Sequence, residues 1–160
     1  MTITSKIRRT LAAAAATAAV MAVGLPAAQA DASVGAMWPS LQINPSCPLC
    51  VNPTYKQDVQ VEGVVKMTQT EAQRMVDQRY NVVIRVWGED TFSDDLLIGP
   101  YNPYIWAEYD GLHFRDVRSV YNWVLNEDLG GDEIYAGVRL VHPTSTTLRS
   151  AETNRAYGSW

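Results

Sequence analysis

The chain has 160 residues, 47% of them hydrophobic and 19% charged, with a net charge of −4 at pH 7. An acidic balance of this kind leaves no electrostatic footprint for nucleic acid. It also excludes adsorption to bare anionic lipid, unless a cation bridges the two.

The first thirty residues read as a secretory signal peptide. Lys6, Arg8 and Arg9 give a basic start, Leu11 to Ala27 is apolar and Ala-rich, and Ala28-Gln29-Ala30 is a small-x-small cleavage site. The expected mature chain starts at Asp31 and is secreted. The Arg8-Arg9 pair fits only part of the twin-arginine pattern, so the Sec and twin-arginine routes both stay open. Three basic residues and no acidic one lie in this segment, so the 130 residues after it carry a net charge of −7. That length suits one domain with one core.

Residues 31–54 are rich in Pro, Ser and Asn and read as an irregular segment. They hold the chain's two cysteines, Cys47 and Cys50. Outside the cell these are expected to form a local disulfide, whose small ring constrains little of the unfolded chain. A redox role would require the pair between a strand and a helix in a βαβ unit, and Pro45, Pro48 and Pro53 surround it instead. A zinc site drawing on His113 and His142 lacks local ligand spacing.

The expected fold is mainly β: an antiparallel β-sandwich over residues 55–160 with one short helix. Val59, Val61 and Val64-Val65 predict a first strand near 58–67. Thr68-Gln69-Thr70-Glu71 is a capping box, and Ala72, Met75 and Val76 recur at helical spacing, which predicts a helix over 69–79. Strands are expected at 82–87, 96–98, 104–109, 112–117, 120–125 and 133–141, with a last short one at 156–157. Gly99-Pro100 and His142-Pro143 read as strand ends, and Asp110-Gly111 as a hairpin turn.

Two acidic stretches repeat each other. Glu89-Asp90-Thr91-Phe92-Ser93-Asp94-Asp95 and Glu127-Asp128-Leu129-Gly130-Gly131-Asp132-Glu133 share the pattern Glu-Asp-x-x-x-Asp-(Asp/Glu), offset by 38 residues. Eight carboxylates in fourteen residues repel one another unless water, salt or a hard cation compensates. Counting strand directions through simple antiparallel connections puts both loops at one end, together with the Asp110-Gly111 turn and Glu108. Calcium suits such a cage, because it takes six to eight hard oxygens in flexible geometry, whereas magnesium demands a tighter octahedron. The expected ligands are Glu89, Asp90, Asp94, Asp95, Asp110, Asn126, Glu127, Asp128, Asp132 and Glu133. The bland alternative is a pair of solvated loops that keep the protein soluble.

Residues 82–99 resemble the third calcium loop of the calcium-and-lipid-binding β-sandwich of the synaptotagmin and protein kinase C type. The likeness lies in a hydrophobic strand, spaced Asp residues and an apolar-Gly ending. It implies Asp90 and one of Asp94 or Asp95 as ligands, while Gly88 stands where that family has its first Asp.

The function these features suggest is a secreted, non-catalytic calcium-binding module, reaching a cell-surface polymer or lipid through bridging calcium. A second reading is a metal-independent carbohydrate-binding module using Trp87, Trp106 and Trp123, although aromatics on strands more often fill the core. A third is a hydrolase with paired carboxylates. The chain contains no Gly-x-Ser-x-Gly and no His-Glu-x-x-His.

Overall fold

The computed structural model describes residues 34–44, 55–90, 93–126, 132–158 and 160. Residues 1–30, expected to be a signal peptide, and Cys47, Cys50, Glu127 and Asp128 lie outside them. The described chain is mainly β, built as two antiparallel sheets around a shared core.

The strands are β1 (Met37–Asn44), β2 (Lys56–Lys66), β3 (Asn81–Gly88), β4 (Asp95–Tyr101), β5 (Tyr104–Glu108), β6 (Gly111–Tyr121), β7 (Asp132–Val141), β8 (Thr147–Glu152) and β9 (Ala156–Gly158). The helices are α1 (Gln69–Asp77) and the short α2 (Asn122–Leu125). One sheet has the order β1-β2-β6-β5; the other runs β4-β3-β7-β8, with β9 also on β7.

Period-two alternation decides which side chains enter the core. Val59, Val61, Val65, Leu112 and Phe114 face inward from the first sheet, and Val82, Ile84, Val86, Ile134, Val138 and Leu140 from the second. Helix α1 adds Ala72 and Met75. It starts as the capping box dictates: Thr68 accepts from the Glu71 amide, and the Glu71 carboxylate accepts from the Thr68 amide at 3.0 Å.

Four expectations need correction. Residues 37–44 are not irregular but form edge strand β1, with Met37, Leu41 and Ile43 buried on alternate positions. Pro39 is tolerated there because an edge strand has amides with no ladder to join. The outer side of β1 is closed by Asn154, whose Oδ1 accepts from the Leu41 amide at 2.9 Å and whose Nδ2 donates to the Leu41 carbonyl at 3.1 Å. Strand β8 was not foreseen at all. The expected strand 120–125 is split: β6 runs on to Tyr121, and the rest is α2. Finally, Gly99-Pro100 lies inside β4 rather than ending it, which an edge strand again permits.

Because β6 absorbs one expected strand, the meander count fails. The two acidic stretches still meet, by a different route: β3 pairs directly with β7, setting Gly88 opposite Ile134.

Candidate metal centre on the β5–β6 hairpin

The hairpin register is set by Trp106 opposite His113 and Glu108 opposite Gly111. The two turn residues are thus Tyr109 and Asp110, one position earlier than the sequence suggested. Neither has a positive φ; that conformation falls on Gly111, at +151°. This shift turns Asp110 back over the outer face of the sheet, where His113 and Trp106 stand side by side. The neighbouring pairing of Lys66 with Gly111 brings the Lys66 ammonium to the same spot.

Glu108, Asp110 and His113 form the one group among the described residues whose ligand atoms could hold a metal ion. Those atoms all lie within 4.8 Å of one another. His113 Nε2 is 2.7 Å from Asp110 Oδ1 and 3.9 Å from Glu108 Oε2. Each carboxylate is held by its other oxygen. Trp106 Nε1 donates to Glu108 Oε1 at 2.6 Å, and Lys66 Nζ donates to Asp110 Oδ2 at 2.6 Å. Donors of this kind orient ligands and hold them ready. Trp106 also lies 5.6 Å from the His113 ring and stacks on Tyr104 at 5.5 Å, forming an aromatic wall along one side.

The donor set selects among ions. Two ligand atoms about 2.1 Å from a tetrahedral zinc stand roughly 3.4 Å apart. The observed 2.7 and 3.9 Å straddle that separation, so small side-chain movements suffice. An imidazole with two carboxylates suits zinc and its neighbours in the first transition row. Calcium prefers more donors, and hard oxygens only.

Hydrogen bonds from Lys66, and then from His113, depress the Asp110 carboxyl to about 2 from an ordinary value of 3.8. A carboxylate whose folded pKa is depressed stabilises the fold above its unfolded pKa and loses that contribution as pH falls through the folded one. In chelator, stability should therefore decline between about pH 4 and 2 from this group. Lys66→Met should raise the Asp110 titration midpoint, read from its carboxyl carbon by NMR. An unchanged midpoint would contradict the assignment.

The acidic loops are arranged differently. The Glu89 amide donates to the Glu133 carbonyl at 2.7 Å, extending the β3–β7 ladder and joining the two repeats at their edges. Glu89 is then taken by Arg155, whose Nε and Nη2 both donate to it. Arg155 also lies 3.7 Å from Glu152 and 5.0 Å from the centre of the Tyr135 ring. Asp94 accepts from the Tyr135 hydroxyl at 2.6 Å. Burial, and next that bond to Asp94, push the Tyr135 hydroxyl up to about 12. Asp90 and Asp132 are half-buried, while Asp95, Asn126 and Glu133 are exposed. Among the described residues the loop carboxylates form no group of three close enough for one ion. Asp110 stands with Lys66, Glu108 and His113 and not with them. Part of the compensation expected from calcium is thus supplied by Arg155, a residue 66 positions from Glu89 that nothing in the local pattern marks.

Neither protein-family models, nor curated proteins, nor solved structures give a match to this chain.

In the sequence His113 has no local ligand spacing to Cys47, Cys50 or His142 and so does not stand out as a ligand. The Glu108-x-Asp110-x-x-His113 spacing across a two-residue turn was the available signal. His142 is structural: its Nδ1 lies 2.8 Å from Thr144 Oγ1 and its ring meets Tyr80 edge-on at 4.9 Å. The three tryptophans of the carbohydrate reading are outside the core. Trp87 and Trp106 are half-buried, and Trp123 is 63% exposed beside Tyr121.

Proposed function

We propose that this chain is a secreted, non-catalytic β-sandwich that binds a divalent cation at Glu108, Asp110 and His113. The observation that carries the reading is the pre-oriented donor set. Both carboxylates have one oxygen fixed by Trp106 or Lys66 and the other turned toward His113. Three protein donors leave at least one coordination position for water or for an oxygen of a surface ligand. Export rests on the basic, apolar and small-residue succession of residues 1–30. Zinc is the ion that this ligand set favours.

The test is a melting curve on metal-free protein with zinc, manganese or calcium added singly. Zinc at a hundredfold excess over its Kd should stabilise the fold by about 2.7 kcal/mol. That corresponds to a rise of several degrees in Tm for a domain of this size. His113→Ala should remove the zinc effect. No heat of binding at millimolar zinc, or a His113→Ala protein that responds like the parent, would end this reading.

Calcium at the acidic repeats is a second reading, favoured by the Glu89–Glu133 bond that joins the two repeats and by the resemblance of residues 82–99. Asp90→Asn with Asp128→Asn should abolish any calcium-dependent rise in Tm, and His113→Ala should leave it intact.

A further inference from the structure

The outer face of the second sheet carries a depression of about 500 Å³ that neither metal reading uses. Its floor is Gly137. Arg85 stands directly opposite Gly137 on β3, and Glu152 directly opposite on β8; Arg139 lies two residues along β7, opposite Ser150. A side chain at 137 would fill the floor: a Cβ built there comes within 3.4 Å of Trp87 Nε1. The indole N–H therefore borders the same hole as the two guanidinium groups.

Among the described residues these groups are donors without acceptors. Among the described residues neither Arg85 nor Arg139 makes an ion pair, in a chain where acidic residues outnumber basic ones. Arg85 Nε is buried and has no hydrogen-bond partner. Burying an unpaired donor is costly, so natural structures rarely leave one without a ligand or an ordered water. Two guanidinium forks, an indole N–H and the Ser150 hydroxyl around one hollow are complementary to an oxyanion, which arginine engages through paired N–H donors. Glu152, on the rim and 3.7 Å from Arg155, sets a limit on the ligand's charge. It disfavours a dianion and suits a singly charged group on a body with hydroxyls that can donate to it.

We propose that this depression binds a singly charged oxyanion, a carboxylate or a sulfate ester, carried on a sugar-sized molecule. Arg85 and Arg139 grip the anion, Trp87 donates from the side, and the open floor at Gly137 admits the ligand to the sheet.

Titration calorimetry with glucuronate, galactose 6-sulfate, glucose and inorganic phosphate tests this. Binding of glucuronate or of the sulfate ester, and not of glucose, supports the site and tells the two anion sources apart. Arg85→Met and Arg139→Met should each weaken binding by about tenfold or more, as loss of a charge-assisted pair requires. Gly137→Ala, whose methyl meets Trp87 only at ordinary contact distance, should fold normally and also lose affinity. The proposal is overturned if neither anionic sugar binds at millimolar concentration, if glucose binds as well as glucuronate, if phosphate binds more tightly than either, or if folded Gly137→Ala binds like the parent.

Discussion

Phe114→Ala should lower the free energy of unfolding by about 3–5 kcal/mol, the cost of removing a buried aromatic ring and leaving its cavity. Phe114 is 1% exposed and points inward from β6, with its ring tip over Gly63 of β2, where a Cβ would come within 2.6 Å of it. Neighbouring backbone cannot collapse into the space, because both strands are held in continuous register from Lys56–Tyr121 to Lys66–Gly111. Whole-domain stabilities lie near 5–15 kcal/mol, so this one change removes a large share. Urea unfolding should show a reduced midpoint with little change in slope, and Tm should fall by roughly 10 °C or more. Val117→Ala on the outer face of the same strand, at 46% exposure, should stay within about 0.5 kcal/mol of the parent. A Phe114→Ala loss below about 1 kcal/mol would contradict the inward assignment of β6.

Gly111→Ala should destabilise by about 2–4 kcal/mol, combining backbone strain with a clash that cannot relax. Gly111 has a φ of +151°, a conformation that side-chain-bearing residues rarely adopt. An added Cβ would sit 2.2 Å from the Val65 carbonyl oxygen, which is backbone locked in the β2–β6 ladder. The same residue fixes the turn that sets Glu108 and Asp110 against His113. The alanine variant should therefore lose zinc affinity as well as stability, even under conditions where it remains folded. Calorimetry on folded protein separates the two effects. Gly137→Ala is the matched control, since its methyl meets only an ordinary contact and its melt should barely move. A Gly111→Ala protein with parental stability and parental zinc binding would show that the turn does not govern the centre.

The contrast between the two acidic features shows how far local pattern reaches. The repeat at 89–95 and 127–133 is plain in the sequence, and β3–β7 pairing does bring its described parts together. Its counter-charge was hidden, because Arg155 sits in a short segment after β8 with no pattern of its own. The hairpin centre was half legible. Asp110 is legible as a ligand beside Glu108, but His113 is not, since ligand spacing read along the chain takes no account of a turn that folds the third ligand back on the first two. Oxygen orientation by Trp106 and Lys66 depends on register in two ladders at once, and a sequence does not carry register.

What the sequence determined by itself was local. Valine and isoleucine at alternate positions specify strands with one buried face, Thr68 and Glu71 specify the start of α1, and the Gly111 and His142-Pro143 neighbourhoods specify where strands turn or stop. These choices rest on backbone sterics, capping hydrogen bonds and amphipathic period, each set within a few residues. Only the tertiary structure decided the rest. It made a strand of 37–44, because Asn154 and β2 supply partners on both sides of a stretch whose Pro39 and Ser40 argue for a loop. It ran β6 through to Tyr121, because β2 pairs with it over its whole length. It paired β3 with β7, which are far apart in the chain, and so chose which charges meet. Pairing between distant strands is won by burial of both inner faces at once, a property of the assembled sandwich that no single segment contains.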